Sequence, residues 1–560
     1  MTESDPGRRK LTQIAYGDRN AITMASSLSV LAAMLWLPQA WLVSRFLAAL
    51  AEARTPAPGA LVTVIIFITL GALRHLLDVL AGRRAFLIGQ RLIERERTAL
   101  VEEESLASPL AHSGHTSAAL ATLLAGKLDA LLPWASRYRL AATRVAIVPG
   151  IILLVVASMS WLAAIVLLVA GPLIPVFMAL IGLAARQASE KHMAETGTLN
   201  STLLEWLNAA ADIRLLNAEA LTIDRFRQSA EALRARTMEV LRIAFLSSTV
   251  LELFSAIGIA LVAVYVGFAL LGIFSFGAYG TPLSVLEGIF ILLLAPDFFQ
   301  PLRDLAAAWH DKAAALAVAG ELAERDCRPV PRILGRGAKA GALSAGALTI
   351  ATRGLRYEAG GREIAFPDIV IMPGERVAIC GPSGVGKTTL IGLLCGLARP
   401  SAGRVEIGGR PLDDHSADAW RSMIGFVGQH PHMLNASLRA NIALASERFN
   451  QARLDASLAA ASADGVVVAL PRGIDTRLGE NGGGVSGGEA RRLTIARAIY
   501  ADAKVVFADE PTADLDPATA AKVVEALEVL GRQGATLVVA THDPRLVARF
   551  DRAIVLEALP

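Results

Sequence analysis

Val377-Ala378-Ile379-Cys380-Gly381-Pro382-Ser383-Gly384-Val385-Gly386-Lys387-Thr388-Thr389 is the stretch that decides how this chain is read. Its first four residues read as a buried strand, and an apolar helix follows the last. Between them Gly381, Gly384 and Gly386 let the backbone curl so that N–H groups face phosphate oxygens, with Pro382, Ser383, Val385 and Thr389 completing the loop. The next helix adds its positive N-terminal end. The pattern predicts an ATP phosphate cradle in which Lys387 neutralises the β- and γ-phosphates and Thr388 holds Mg²⁺. A second apolar strand, Val505-Val506-Phe507-Ala508, ends in Asp509-Glu510. An acid at the carboxyl end of such a strand reaches the metal site, so Asp509 is expected on Mg²⁺ and Glu510 as general base for water.

Outward from this half, composition changes. The chain has 560 residues, 54% hydrophobic and 19% charged, too apolar for an ordinary soluble protein. The excess lies between about residues 20 and 300, and the last third reads as a soluble α/β domain. A net charge of +3 without a basic stripe argues against a nucleic-acid partner. Cys327, Cys380 and Cys395 fit no zinc spacing and read as small core residues in a reducing compartment. The first apolar segment runs far past the length of a signal-peptide core and is expected to be retained.

Six segments are long enough to span a membrane: 21–50, 61–80, 134–159, 161–184, 240–271 and 281–299. The connections 51–60, 158–161 and 272–280 are short. Those at 83–133 and 186–239 are long, charged and helical in periodicity, with Arg83, Arg84, Arg91, Arg95, Arg97 and Lys127 in the first. The positive-inside rule puts the long arms and both termini in the cytoplasm. The expected division is a cytoplasmic N-terminal segment (1–20), a transmembrane domain (21–325), a linker (326–347) and an ATP-binding domain (348–560). Arg74 and Asp78, four apart, are expected to share a helix face and pair. Glu252 and Glu287 also fall within spans, where charges face a bundle interior or a wet path. Pro38, Pro172 and Pro296 are expected kinks. His75 and His310 read as hydrogen-bonded histidines or as contacts to haem or another substrate.

Between the phosphate loop and the Asp509-Glu510 strand lies Gly484-Val485-Ser486-Gly487-Gly488-Glu489-Ala490-Arg491-Arg492, which resembles the signature of ABC ATPases, with Glu489 where the family usually has Gln. The resemblance implies that Ser486, Gly487, Gly488 and Glu489 close over ATP held by an opposite cassette. It extends in order: Tyr357 matches the aromatic that stacks on adenine, and Gln429 the glutamine that senses γ-phosphate and joins the Mg²⁺ shell. Glu480 falls in the short exporter loop before the signature, Asp516 in the loop crossing the dimer interface, and His542 at the switch histidine.

Six helices before one cassette resemble a type IV exporter half-transporter: a membrane α-helical bundle fused to an α/β P-loop nucleotide-binding domain. Segments 294–305 and 239–248, with Pro38-Gln39-Ala40-Trp41, resemble the CydD-type half of the CydDC family of heterodimeric thiol exporters. That resemblance implies a CydC-like partner in the bacterial inner membrane. It implies export of glutathione or cysteine to the periplasm and support of cytochrome bd assembly, with haem as a candidate ligand or cargo. A lipid or peptide exporter is the rival reading, because its cassette would look the same.

Overall fold

The structure is a computed structural model. It describes residues 6–55, 59–110, 117–174, 176–177, 203, 206, 209–274, 276–280, 282–327, 330–336, 348–359, 362–444, 448–479 and 484–557. Two units emerge from the packing, Met1–Ala99 with Ser117–Arg328, and Leu100–Thr116 with Pro329–Pro560.

The first unit is helical because its long apolar runs must satisfy their own backbone polar groups. Among the described residues five helices are long and apolar enough to cross a membrane: Arg19–Ala51, Ala60–Ser105, Lys127–Met159, Thr249–Leu270 and Val285–Cys327. The fourth expected span appears as the shorter Trp161–Ile174, and most of residues 175–184 lie outside the described residues. The Ala60–Ser105 helix has 46 residues, about 69 Å at 1.5 Å per residue, and so outruns a hydrocarbon core of about 30 Å. The 52-residue helix Glu219–Leu270 is longer still. Residues 83–105 and 219–239 of the long arms are thus continuous extensions of spanning helices.

The first span is not one smooth helix. It breaks at Leu35 into Arg19–Met34 and Trp36–Ala51. Pro38 has no amide hydrogen and its ring crowds the carbonyl four residues back, which belongs to Met34, so the break falls there. At Pro296 the Val285–Ala307 helix continues without interruption. This helix forms the centre of the unit, with Phe290, Ile291, Leu294, Ala295, Phe298 and Phe299 all buried. A Cβ on Gly258 would come within 2.5 Å of the Phe299 ring, so only glycine lets the Glu219–Leu270 helix approach so closely. The tight turn at Ser160 is pinned to a neighbouring connection: the buried Ser160 hydroxyl donates to the Gly277 carbonyl at 2.7 Å. The N-terminal segment forms a helix, Pro6–Tyr16, packed on Trp309–Cys327, with Gly7 close to Leu316 and Gly320, and with Lys10 bonded to Asp326 at 2.7 Å.

One expectation about polar residues is corrected, and two others gain detail. Arg74 does not pair with Asp78. Arg74 faces Asp297 and lies over the Trp36 ring, whereas Asp78 bonds Arg144, which also reaches Ser29. Helical spacing gives neighbours on one helix, but partners on adjacent helices are nearer. Glu287 completes a capping box with Ser284 at the start of its helix. Glu252 lies on the exposed face of its helix. Of the cysteines, Cys395 is buried but Cys327 is exposed.

The second unit is built on two sheets. One is parallel, in the order Arg552–Val555, Arg376–Cys380, Thr536–Ala540, Val505–Asp509, Ile424–Val427. Its central strands are buried on both faces, as their unbroken apolar runs require. The other is antiparallel, centred on Ile350–Ala359 between Arg362–Ala365 and Ala402–Ile407. Part of the expected linker is docked: Leu334 is a core residue, and its carbonyl accepts from Arg421 at 2.6 Å. Residues 337–347 lie outside the described residues. The tip beyond the Ala60–Ser105 helix also belongs to this unit. Ser108 donates to the Leu397 carbonyl at 2.6 Å, and Leu110 packs where a Cβ on Gly392 would sit.

Candidate nucleotide site

Sheet order explains why distant motifs meet. Thr536–Ala540 lies between Arg376–Cys380 and Val505–Asp509 in a parallel sheet. The loops leaving the carboxyl ends of these three strands therefore share one edge, where open α/β sheets bind ligands. Those loops carry Gly381–Thr389, Glu510 and His542. Backbone bonds hold the edge together: Glu510 N donates to Ala540 O at 2.9 Å, and Thr541 N to Ile379 O at 3.0 Å.

The P-loop glycines are needed for their conformations. Gly384 and Gly386 have φ of +82° and +103°, the left-handed region that side chains disfavour. A Cβ on Gly386 would also come within 3.3 Å of Ile364 and Phe366. Gly381 (φ +152°) has no room for a Cβ beside the Leu556 carbonyl, at 2.7 Å. Pro382, Ser383 and Gly384 are exposed, Val385 is half-buried, and Thr388 and Thr389 open the next helix.

Thr388 Oγ1 donates to Asp509 Oδ2 at 2.7 Å. The other carboxylate oxygen, Asp509 Oδ1, is buried and has no hydrogen-bond partner among the described residues. Burial pushes the Asp509 carboxyl above its usual range, the Thr388 hydroxyl opposes this, and the neighbouring Glu510 adds to it. A buried acceptor without a donor is costly, and a hard divalent cation with oxygen ligands would satisfy it. The donor set fits Mg²⁺. No hydrogen bond joins the half-buried Gln429 side chain to Thr388 or Asp509 among the described residues.

Lys387 Nζ donates to the carbonyls of Gly381 at 2.9 Å and Pro382 at 3.3 Å, and lies 3.4 Å from Glu510 Oε1. The lysine folds back on its own loop and on the acid. Glu510 Oε2 is 2.9 Å from His542 Nδ1, so this carboxylate lies between a buried lysine and a histidine that is 69% exposed. Glu510 has φ of +44°, a strained backbone for a non-glycine residue and one that clusters at functional sites. Tyr357 lies opposite Ile364, which also touches the P-loop. The Tyr357 ring is largely covered, and burial raises its phenol.

The signature lies elsewhere. Ser486 N-caps the Gly487–Tyr500 helix and forms a reciprocal box with Glu489: Glu489 N donates to Ser486 Oγ at 3.4 Å, and Ser486 N to Glu489 Oε2 at 2.7 Å. A glutamate does this as well as the family's glutamine. Ser486 and Gly487 are exposed, while Gly488 is pressed against Thr519. Asp516 caps the Pro517–Arg532 helix, accepting from Ala518 N and Thr519 N, each at 3.0 Å. The Thr519 hydroxyl and these amides hold its carboxyl below the usual range. Glu480 lies outside the described residues.

One residue was passed over in the sequence. Arg491 is 4% exposed and donates to the carbonyls of Gln429, at 2.9 Å, and Ala513. It ties the loop after Ile424–Val427 to the loop after Val505–Asp509. The available signal was its position three residues after Gly488 and four before Ile495, on a buried helical face. Neither His75 nor His310 lies in a closed slot; both are exposed. Among the described residues no group of three His, Cys, Asp or Glu gathers as for a metal.

A phosphate cradle, a metal-ready acid and a set of spanning helices on one chain define an ATP-driven membrane transporter. The family pattern described as "ABC transporter" matches residues 368–513, and "ABC transporter transmembrane region" matches 22–293. The chain is similar to transport ATP-binding protein AarD of Providencia stuartii, 34% identical over 98% of this chain and 93% of that protein. It is 32% identical to the glutathione/L-cysteine transport system ATP-binding/permease protein CydD of Escherichia coli (strain K12), covering 97% of this chain and 92% of that one. A solved bacterial Atm1-family ABC exporter with ATP bound shares its fold, with a TM-score of 0.76 at 20% identity, covering 98% of this chain and 94% of that chain. The chain belongs to the ABC transporter family. It is a multi-pass membrane protein of the type IV exporter fold that couples ATP hydrolysis to transport, and it is related to CydD.

Proposed function

We propose that this chain is the CydD-like half of a heterodimeric exporter that moves glutathione or L-cysteine from cytoplasm to periplasm and supports cytochrome bd assembly. Its partner is a CydC-like half, it resides in a bacterial inner membrane, and both termini are cytoplasmic. The observation that carries the cargo is full-length similarity to a protein named for that transport. The arginine-rich long arms support the orientation.

ATP with Mg²⁺ supplies the phosphoanhydride to be cleaved and neutralises its charge. Lys387 leaves the Gly381 and Pro382 carbonyls to meet phosphate, which also frees Glu510 from its cation. Thr388 and Asp509, now bonded to each other, would hold the metal. Glu510 then accepts a proton from the attacking water, oriented with His542 and Gln429. Tyr357 backs the adenine. The exposure of Ser486 and Gly487 supports a role on the nucleotide of the partner cassette, so the chain alone lacks one wall of each site.

The test is ATP-dependent uptake of labelled glutathione into inside-out vesicles carrying both halves. Uptake that disappears with Glu510→Gln supports thiol export and the base together. ATP hydrolysis without uptake removes the thiol reading and moves the cargo to haem or a lipid or peptide. In the same preparations, nucleotide affinity unchanged by Lys387→Ala would remove Lys387 from the phosphate site.

A further inference from the structure

Among the described residues two ion pairs lie at membrane depth, and they differ. Arg144 and Asp78 form a closed hydrogen-bonded contact that also takes in Ser29. Arg74 Nη2 and Asp297 Oδ1 stand 3.9 Å apart, beyond hydrogen-bond distance, so each keeps capacity for another partner. Their side chains remain 36% and 30% exposed. Arg74 nonetheless lies on the inward stripe of its helix with Thr63, Phe67, Gly71 and Ala81, not on the outer face. A charged side chain at this depth, partly open and on a packed face, borders a wet space.

The surroundings are built and not incidental. Three helix ends place the pair at a common level. Arg74 is 14 residues from Ala60, Trp36 is 15 from Ala51, and Asp297 is 12 from Val285, distances of about 21, 22 and 18 Å along the helices. The Trp36 ring supports the Arg74 guanidinium from 5.2 Å, and its Nε1 is tied to the Leu293 carbonyl at 3.3 Å. One turn from Trp36, Gln39 is 3% exposed. Its Nε2 donates to the Phe67 carbonyl at 3.0 Å, which fixes the amide, and its Oε1 has no partner among the described residues. Gly71 leaves the room this amide needs, since a Cβ there would come 3.1 Å from Nε2.

We propose that Arg74, Asp297 and the Gln39 carbonyl form a site for the α-amino-acid zwitterion of the cargo. The cargo carboxylate meets Arg74, whose planar donors suit it. The cargo ammonium meets Asp297 and fills the orphan acceptor of Gln39. Glutathione and cysteine both carry this head group, so the site deepens the thiol-export reading and rests on it. The consequence is that the membrane half reads the zwitterion and not the sulfur.

Competition for labelled glutathione uptake, in vesicles carrying both halves, tests this. Ophthalmate, which keeps the zwitterion and lacks the thiol, is expected to compete like unlabelled glutathione. N-acetylcysteine and cysteamine keep the thiol, lack one charge of the head group, and are expected to compete about tenfold or more weakly. Arg74→Gln and Asp297→Asn should each raise the half-saturating glutathione concentration about tenfold or more, with Arg74→Lys recovering part of the loss. Uptake at saturating glutathione shows that the variants are folded. Unchanged half-saturation in both variants, or N-acetylcysteine matching ophthalmate, would overturn the site. If the wild type hydrolyses ATP but takes up no glutathione, the thiol reading has failed by itself. Stimulation of ATP hydrolysis by sulfur-free amino acids, lost in Arg74→Gln, would then uphold the site, and its absence would overturn both.

Discussion

The phosphate cradle and the signature face belong to one cassette but are held in opposite ways. In the cradle, polar groups lean on substitutes for the ligand: Lys387 on its own loop carbonyls, Thr388 on Asp509, and Glu510 on Lys387 and His542. One buried oxygen, Asp509 Oδ1, has no partner among the described residues, and Glu510 bears backbone strain. On the signature face Ser486 and Glu489 satisfy each other, and Asp516 caps its own helix. The first region is poised to exchange its contacts. The second is already satisfied, and it leaves glycine and serine backbone exposed. Arg491 joins the two, since it sits on the signature helix and bonds loops that flank the cradle.

Mutations can break or sharpen this contrast. Glu510→Gln in the cradle should show the largest effect, a loss of about 10²–10⁴-fold in ATP turnover with nucleotide retained, measured by single-turnover hydrolysis. A full rate would make the cradle's lysine–acid–histidine chain merely structural. Next is Arg491→Met. It strands the Gln429 and Ala513 carbonyls in a buried place, and a stability loss of about 1–3 kcal/mol is expected in thermal unfolding, with slower hydrolysis. If stability falls but hydrolysis does not, the signature helix and the cradle are mechanically separate.

Asp509→Asn separates stability from function. Because burial raises the Asp509 pKa above 3.8, the folded metal-free cassette binds a proton that the unfolded chain has lost. This contribution is fully present below 3.8 and is lost as pH rises through the raised value. At neutral pH the variant should therefore unfold slightly later than the wild type without nucleotide, yet gain no protection from Mg²⁺ with ATP. Thermal scans across pH, with and without nucleotide, check both halves. Glu489→Gln should matter least. The capping box survives, so stability should move by less than about 0.5 kcal/mol. A large loss there would show that the carboxylate does more than cap.

The cassette was the more legible half, for a physical reason. A P-loop imposes local backbone demands, so Gly384 and Gly386 declare their positive φ in the sequence itself. Strand runs such as Val505–Ala508 declare burial on both faces. The membrane half was legible in most of its spans but not in its pairings. Arg74 and Asp78 have ideal spacing along one helix, yet each found its partner on another. Glu287 looked like a charge in the membrane because its role depends on where the helix begins. The break at Leu35 was foreshadowed by Pro38, while Pro296 was tolerated inside a continuous helix whose neighbours hold it.

The sequence by itself determined that this chain crosses a membrane and carries an ATP cassette, because apolar run length and glycine spacing are local constraints. Only the tertiary structure decided which charges close on each other and which stay open, and that Arg491 links two loops. It also decided that Asp509 holds a buried oxygen in reserve. Such facts depend on distances between elements far apart in the chain, which no local pattern specifies.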